Sequence, residues 1–228
     1  DDDKIKFAQL SDIEVKKDGS EDKIAVVFAS GSIVNGEGQM DEVGGERFAK
    51  TLRDLRKDDN IKAVVLRIDS RGGSALASEI IWREANLLRA VKPLIVSMSD
   101  VAASGGYYMA ACADTIVASP QTITGSIGVF GLVPNAGKLM KDKLGITNEY
   151  VGTGKFSDFG RIDRKMTDGE FAIIDGMVGR IYDVFKSRVS EGRGITVEMV
   201  DSIGQGRVWT GRMAKEIGLV DVLGGIQD

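Results

Sequence analysis

The chain has 228 residues, 34 acidic against 30 basic side chains and a net charge of −4, with 43% hydrophobic and 28% charged content, which is ordinary for a soluble globular domain. The charges are interspersed, so no basic face marks the chain for nucleic acid or anionic lipid. One cysteine and no histidine exclude a disulfide framework and argue against metal catalysis, so neither a metal nor a cofactor is expected.

No run of about 18 apolar residues predicts a membrane span, and the start DDDKIKFAQL has neither an initiator Met nor a signal-peptide layout, so a piece of a longer protein is expected. Residues 1–22 are charged and loop-like and are expected to form a linker or edge segment, with "DDD" at 1–3 a solvated end rather than a calcium site. The remainder, 23–228, has no repeat, low-complexity tract or Pro-rich linker and reads as one domain.

The runs KIAVVFASGSI (23–33), IKAVVLRIDS (61–70) and LIVSMSD (94–100) are β-branched and predict buried parallel strands. Between the first two, Phe48, Leu52 and Leu55 recur at helical spacing. Between the second and third, Ala77, Ile80, Ile81, Leu87 and Leu88 do the same. This strand–helix alternation predicts an α/β fold with right-handed crossovers.

A short apolar helix follows in ASGGYYMAACA, then strand-like TIVAS and GSIGVFG, and a helix in VPNAGKLMKDKLG closed by Gly145. An extended, glycine-marked stretch covers TNEYVGTGKFSDFG. Thr167 and Glu170 have capping-box spacing for a long helix whose Phe171, Ile174, Val178, Ile181 and Phe185 make one apolar stripe. A short helix, a strand and a turn end the chain in GRVWTGRMAKEIGLVDVLGG.

Ser104 opens the short helix. Its hydroxyl could simply cap backbone N–H groups. Gly105 and Gly106, however, clear the space through which an acyl group would approach, leaving the Gly105 N–H to donate to a developing oxyanion. A second pair, Gly72–Gly73, follows a predicted strand and precedes a helix. It is either a tight turn or phosphate loop, or a second set of donors on the same sheet edge; the GxGxxG and GxxxxGK[ST] fingerprints are absent.

Without histidine the base would be lysine, a carboxylate or a group from outside the chain. Holding a lysine neutral at pH 7 costs about 4.6 kcal/mol and demands an apolar site. The Ser-x-x-Lys match at Ser20 and Lys23 lacks a helix to align the two groups and is read as accidental. Phe185 and Trp209 are read as core or contact residues.

RIDSRGGSA, DVAASGGYYMAACADTIVASPQTITGSIGVFG and GRVWTGRMAKEIGLVDVLGG together resemble the signal peptide peptidase A (protease IV) family of serine peptidases. The resemblance runs from about Lys23 to the carboxyl end and implies a crotonase/Clp-protease-like α/β fold with parallel strands and crossover helices. It implies Ser104 as nucleophile, Gly105, Gly72 and Gly73 as oxyanion donors, and Thr124, Gly125, Ser126, Ile127, Gly128 and Val129 along the substrate cleft.

The resemblance further implies a Ser–Lys dyad, apolar peptide substrates such as cleaved signal peptides, ring-like homo-oligomers and the extracytoplasmic face of the bacterial inner membrane. The family's lysine position aligns with Ser157, two residues from Lys155, an offset of about 6.5–7 Å on an extended chain. The chain looks like the serine-bearing carboxy-terminal half of a full-length member. Its base is then Lys155 or, as we expect, a lysine from an amino-terminal half or a neighbouring subunit, and the isolated chain is expected to be inactive or weak. A non-catalytic assembly half is the alternative; an acyl-coenzyme A enzyme of the same fold group would have no use for the serine.

Overall fold

The computed structural model describes residues 22–228. Most of the expected linker, 1–22, together with Ser20 and the DDD end, lies outside the described residues.

The chain runs β1 (Lys23–Ser30), β2 (Ser32–Val34), β3 (Glu42–Gly44), α1 (Gly45–Lys57), β4 (Ile61–Ser70), α2 (Ala75–Arg89), β5 (Leu94–Ala103), α3 (Gly105–Ala110), β6 (Thr115–Ala118) and β7 (Ile123–Gly125). A π-helical turn at Leu139–Lys143, α4 (Asp168–Arg193), α5 (Val197–Ile203), β8 (Val208–Thr210), α6 (Gly211–Glu216) and β9 (Val222–Leu223) complete it. The main sheet is ordered β1-β4-β5-β6-β9, every pairing parallel. Strand β7 lies parallel to the far end of β5 and pairs antiparallel with β8. This is the α/β arrangement of parallel strands and crossover helices that the alternating pattern predicts.

The strands alternate with the two-residue period of the pleat. On β4, Val64, Leu66 and Ile68 are fully buried and meet Val96 and Met98 of β5 in the core, under α2 and α3. The opposite face is only half covered. On β1 this overturns the expectation of a buried strand: Ile24 and Phe28 are 67% and 66% exposed, because β1 packs mainly against β4 and β3 and no described helix lies closely over that face.

Helix α2 is capped by Ser74, whose hydroxyl accepts the Ala77 N–H, and buries Ala77, Ile81, Ala85 and Leu88 along one stripe. Its Glu84 is buried as well. Burial alone would raise that carboxyl's pKa, but Arg53, Arg56 and Arg83 surround it and hold it below its ordinary value. Helix α4 starts with the complete capping box of Thr167 and Glu170 and ends at Gly194 in the left-handed conformation.

The helix expected in VPNAGKLMKDKLG forms over 137–144, π-helical at Leu139–Lys143 and with none of its residues buried, and Gly145 at φ +66° ends it. GSIGVFG differs from the sequence reading: β7 stops at Gly125 and residues 126–131 belong to no strand. The extended stretch expected over TNEYVGTGKFSDFG joins no sheet.

Candidate active site

Parallel strands bring their carboxyl ends to one edge, and three loops meet there: Arg71–Gly73 after β4, Ser104 after β5, and Ser126–Val129 after β7. Ser104 sits at φ +52°, ψ −119°, a sparsely populated corner that costs an L-residue about 1–3 kcal/mol. The corner is held on both sides: the Ser104 N–H donates to Gly125 O at 2.9 Å, and its carbonyl accepts the Tyr108 N–H at 2.8 Å. Its hydroxyl makes no capping hydrogen bond. The cap alternative is therefore ruled out, and the half-buried Oγ faces two adjoining cavities.

The glycines explain how closely the loops approach. A Cβ on Gly72, where φ is +100°, would lie 2.7 Å from the Gly105 nitrogen and 2.9 Å from Ser104 Cβ. Gly72 is not a free donor, however. Its N–H is committed to Ser70 Oγ at 3.1 Å, which corrects the expectation that it joins the oxyanion set.

Gly73 differs. It forms a parallel bridge with Ile33 through its neighbours, Ile33 N–H donating to Gly72 O (3.0 Å) and Ser74 N–H to Ile33 O (2.8 Å). In a parallel ladder the bridged residue's own N–H then faces the other way. Gly73 is exposed and lines both cavities, while Gly105 stands at the first position of α3, where an N–H has no intrahelical acceptor.

The first cavity, about 470 Å³, is apolar: Ala75, Phe159, Ile174, Met177 and Ile181 line it together with Tyr108 and Phe185. Tyr108 and Phe185 pack ring to ring at 4.6 Å. The Tyr108 hydroxyl donates to Glu79, which is paired with Arg188 at 2.6 Å, and Arg188 lies over the Trp82 ring. Burial, with Glu79 beside it, pushes the Tyr108 hydroxyl well above the ordinary tyrosine range. The second cavity, about 830 Å³, is more polar, with Arg71, Ser126, Asp175, Tyr182 and Gln205 in its wall.

Of the expected cleft residues, Ser126, Gly128 and Val129 line these cavities. Thr124 and Ile127 do not: both are buried, and Thr124 Oγ1 donates to Ala102 O. Gly125 serves from behind, through its carbonyl on Ser104. The α4 stripe was legible as apolar but not as cavity wall; Ile174, Val178 and Ile181 face the opening, while Phe171 is exposed.

Lys155 is exposed, with its amine 5.3 Å over the Phe156 ring, and Ser157 closes a turn onto Gly154. Among the described residues no lysine lines either cavity. No group of three or more His, Cys, Asp or Glu among them could hold a metal ion.

The site thus joins a serine at φ +52° to two glycine loops at the carboxyl edge of a mostly parallel α/β sheet, and the comparisons give that fold its family. The chain belongs to peptidase family S49, whose family model matches residues 86–228. It is 40% identical to the chloroplastic serine protease SPPA of Arabidopsis thaliana over 91% of this chain and 31% of that protein. It is 42% identical to Protease 4 of Salmonella typhi over 90% of this chain and 33% of that one. A Methanocaldococcus jannaschii relative is 35% identical over 91% of this chain and 68% of its own length. The chain thus spans about a third of the first two relatives, 31% and 33%.

Proposed function

We propose that this chain is the nucleophile-bearing domain of a serine endopeptidase that cleaves apolar, extended peptides such as spent signal peptides through a Ser–Lys dyad. The observation that carries the reading is the Ser104 hydroxyl, unused by its helix and facing both cavities from a strained corner.

A neutral lysine takes the Ser104 proton as Oγ attacks the scissile carbonyl. The oxyanion then accepts hydrogen bonds from the Gly73 and Gly105 N–H groups, each worth about 2.7–4 kcal/mol in such sites. Collapse expels the amine, which takes the proton back from lysine, and leaves an ester on Ser104 that water hydrolyses by the same route. The apolar cavity receives an apolar side chain of the acyl part. The lysine comes from an amino-terminal half or a neighbouring subunit of a homo-oligomer, which fits cavities that no described lysine reaches. In a bacterial member the place of action is the extracytoplasmic face of the inner membrane; no described helix is long and apolar enough to cross a membrane.

A fluorophosphonate probe tests this. Labelling at Ser104 is expected when the amino-terminal half is supplied, to be weak without it, and to vanish in Ser104→Ala. Absence of labelling in the complete protein would favour an assembly role instead, for which the 91% and 88% exposure of Phe130 and Leu132 is the supporting feature.

A further inference from the structure

We propose that Ser70 is a positioning residue of the oxyanion site, acting through Gly72 on the Gly73 donor; this rests on the peptidase reading above.

Ser70 ends β4 at the irregular step where its pairing with β5 shifts register, and it is 2% exposed. Its hydroxyl donates to Gly31 O at 2.6 Å and accepts the Gly72 N–H at 3.1 Å. A serine hydroxyl has a single proton. Spending it on the Gly31 carbonyl fixes the rotor and turns a lone pair toward Gly72. The hydroxyl is therefore a directional link between the end of β1 and the donor loop.

That link sets the peptide planes. With the Gly72 N–H held inward by Ser70 and the Gly72 carbonyl held by the Ile33 N–H, the following N–H, that of Gly73, is left toward the cavities. The main chain of Ser70 also packs against the serine helix: its carbonyl would lie 2.7 Å from a Cβ on Gly106, the second residue of α3. The buried side chain thus ties the strand end to the donor loop, at a point where the backbone abuts the base of the serine helix. The donor pair works only if Gly73 and Gly105 both point at one oxygen position, and displacements approaching 1 Å in such sites cost about 100-fold in rate.

The test uses the complete protein, its substrate peptide, and that peptide as a boronic acid, whose tetrahedral adduct on Ser104 puts an oxygen where the oxyanion forms. Ser70→Ala is expected to lower kcat and boronate affinity together by about 10–100-fold while leaving KM and the affinity for the uncleaved peptide amide within about twofold. Should Ser70→Ala fold poorly, the near-isosteric pair Ser70→Thr and Ser70→Val, differing only in the hydroxyl, is expected to show the same split, with Thr the more active.

Equal boronate affinity in Ser70→Ala and wild type, or Thr and Val variants of equal activity, would overturn the assignment. A wild-type protein that bound no boronate would be a different failure, removing Ser104 as nucleophile and this inference with it.

Discussion

Replacing Gly72 by alanine separates two contributions that the fold makes at the site. The positive φ of +100° costs an alanine about 1–2 kcal/mol. The added methyl would then sit 2.7 Å from the Gly105 nitrogen, 2.9 Å from Ser104 Cβ and 3.0 Å from the Ala103 carbonyl oxygen. No flexible side-chain end is among these three, so relief requires the two loops to part, an overpacking cost of about 1–3 kcal/mol. The sum is about 2–5 kcal/mol of destabilisation.

Gly145→Ala is the matched control. It has a positive φ of +66° with nothing within 4 Å of the added carbon, so it carries the backbone cost alone, about 1–2 kcal/mol. Urea unfolding of both variants measures the difference at constant m-value. Fluorophosphonate labelling of Ser104 in the complete protein is expected to fall more than about 10-fold in Gly72→Ala and to be unchanged in Gly145→Ala. If the two variants unfolded at the same urea concentration and labelled equally, the close approach of the two loops would be refuted.

Other measurements follow from the same geometry. Lys155→Ala is expected to leave labelling within about twofold of wild type, since its amine lies over Phe156 on the surface; abolished labelling would make Lys155 the base. The Arg164 hydrogen bond, with the Thr167 N–H, holds the Glu170 carboxyl down to about 2 from 4.5. A depressed carboxyl stabilises the fold above its unfolded value and loses that contribution as pH falls through the folded one, so melting curves of wild type and Glu170→Gln should differ above pH 4.5 and converge toward pH 2. Burial pushes the Cys112 thiol up to about 12, so a disulfide-exchange reagent at pH 8 should modify it only at the rate of unfolding. Thr167→Ala removes half of the α4 capping box and should cost about 1 kcal/mol in urea titration.

How much of this was legible in the sequence varied with how local its cause was. The run 61–70 became β4 with the expected bounds, and GERFAKTLRDLRK became α1 from Gly45 to Lys57, because pleat or helix period and flanking breakers agreed. The capping box was legible because it closes within four residues. The short strands β2 and β3 offered too few residues for a period to show.

At the site, the residue types were visible but the directions of peptide planes were not. Nothing in "RGGS" tells that Gly72 gives its N–H to Ser70 while Gly73 keeps its own; that depends on Ile33, a residue of another strand. The α4 stripe fell between these cases, its period plain and its partner invisible. A helix packed on a core and a helix walling an open cavity need the same apolar spacing, and of the apolar residues of α4 only Phe185 and Val189, near its far end, are buried.

The helix that carries Ser104 is six residues long and wholly buried, and its Tyr107 hydroxyl donates to Leu219 O, 112 positions further on. Close by, Asp221 accepts the Ile116 N–H, and β9 closes the sheet beside β6. The platform under the serine is therefore finished only when the late part of the polypeptide has folded back against it. During synthesis the loop that presents Ser104 therefore stays without its support until residues 219–223 have been made and folded back.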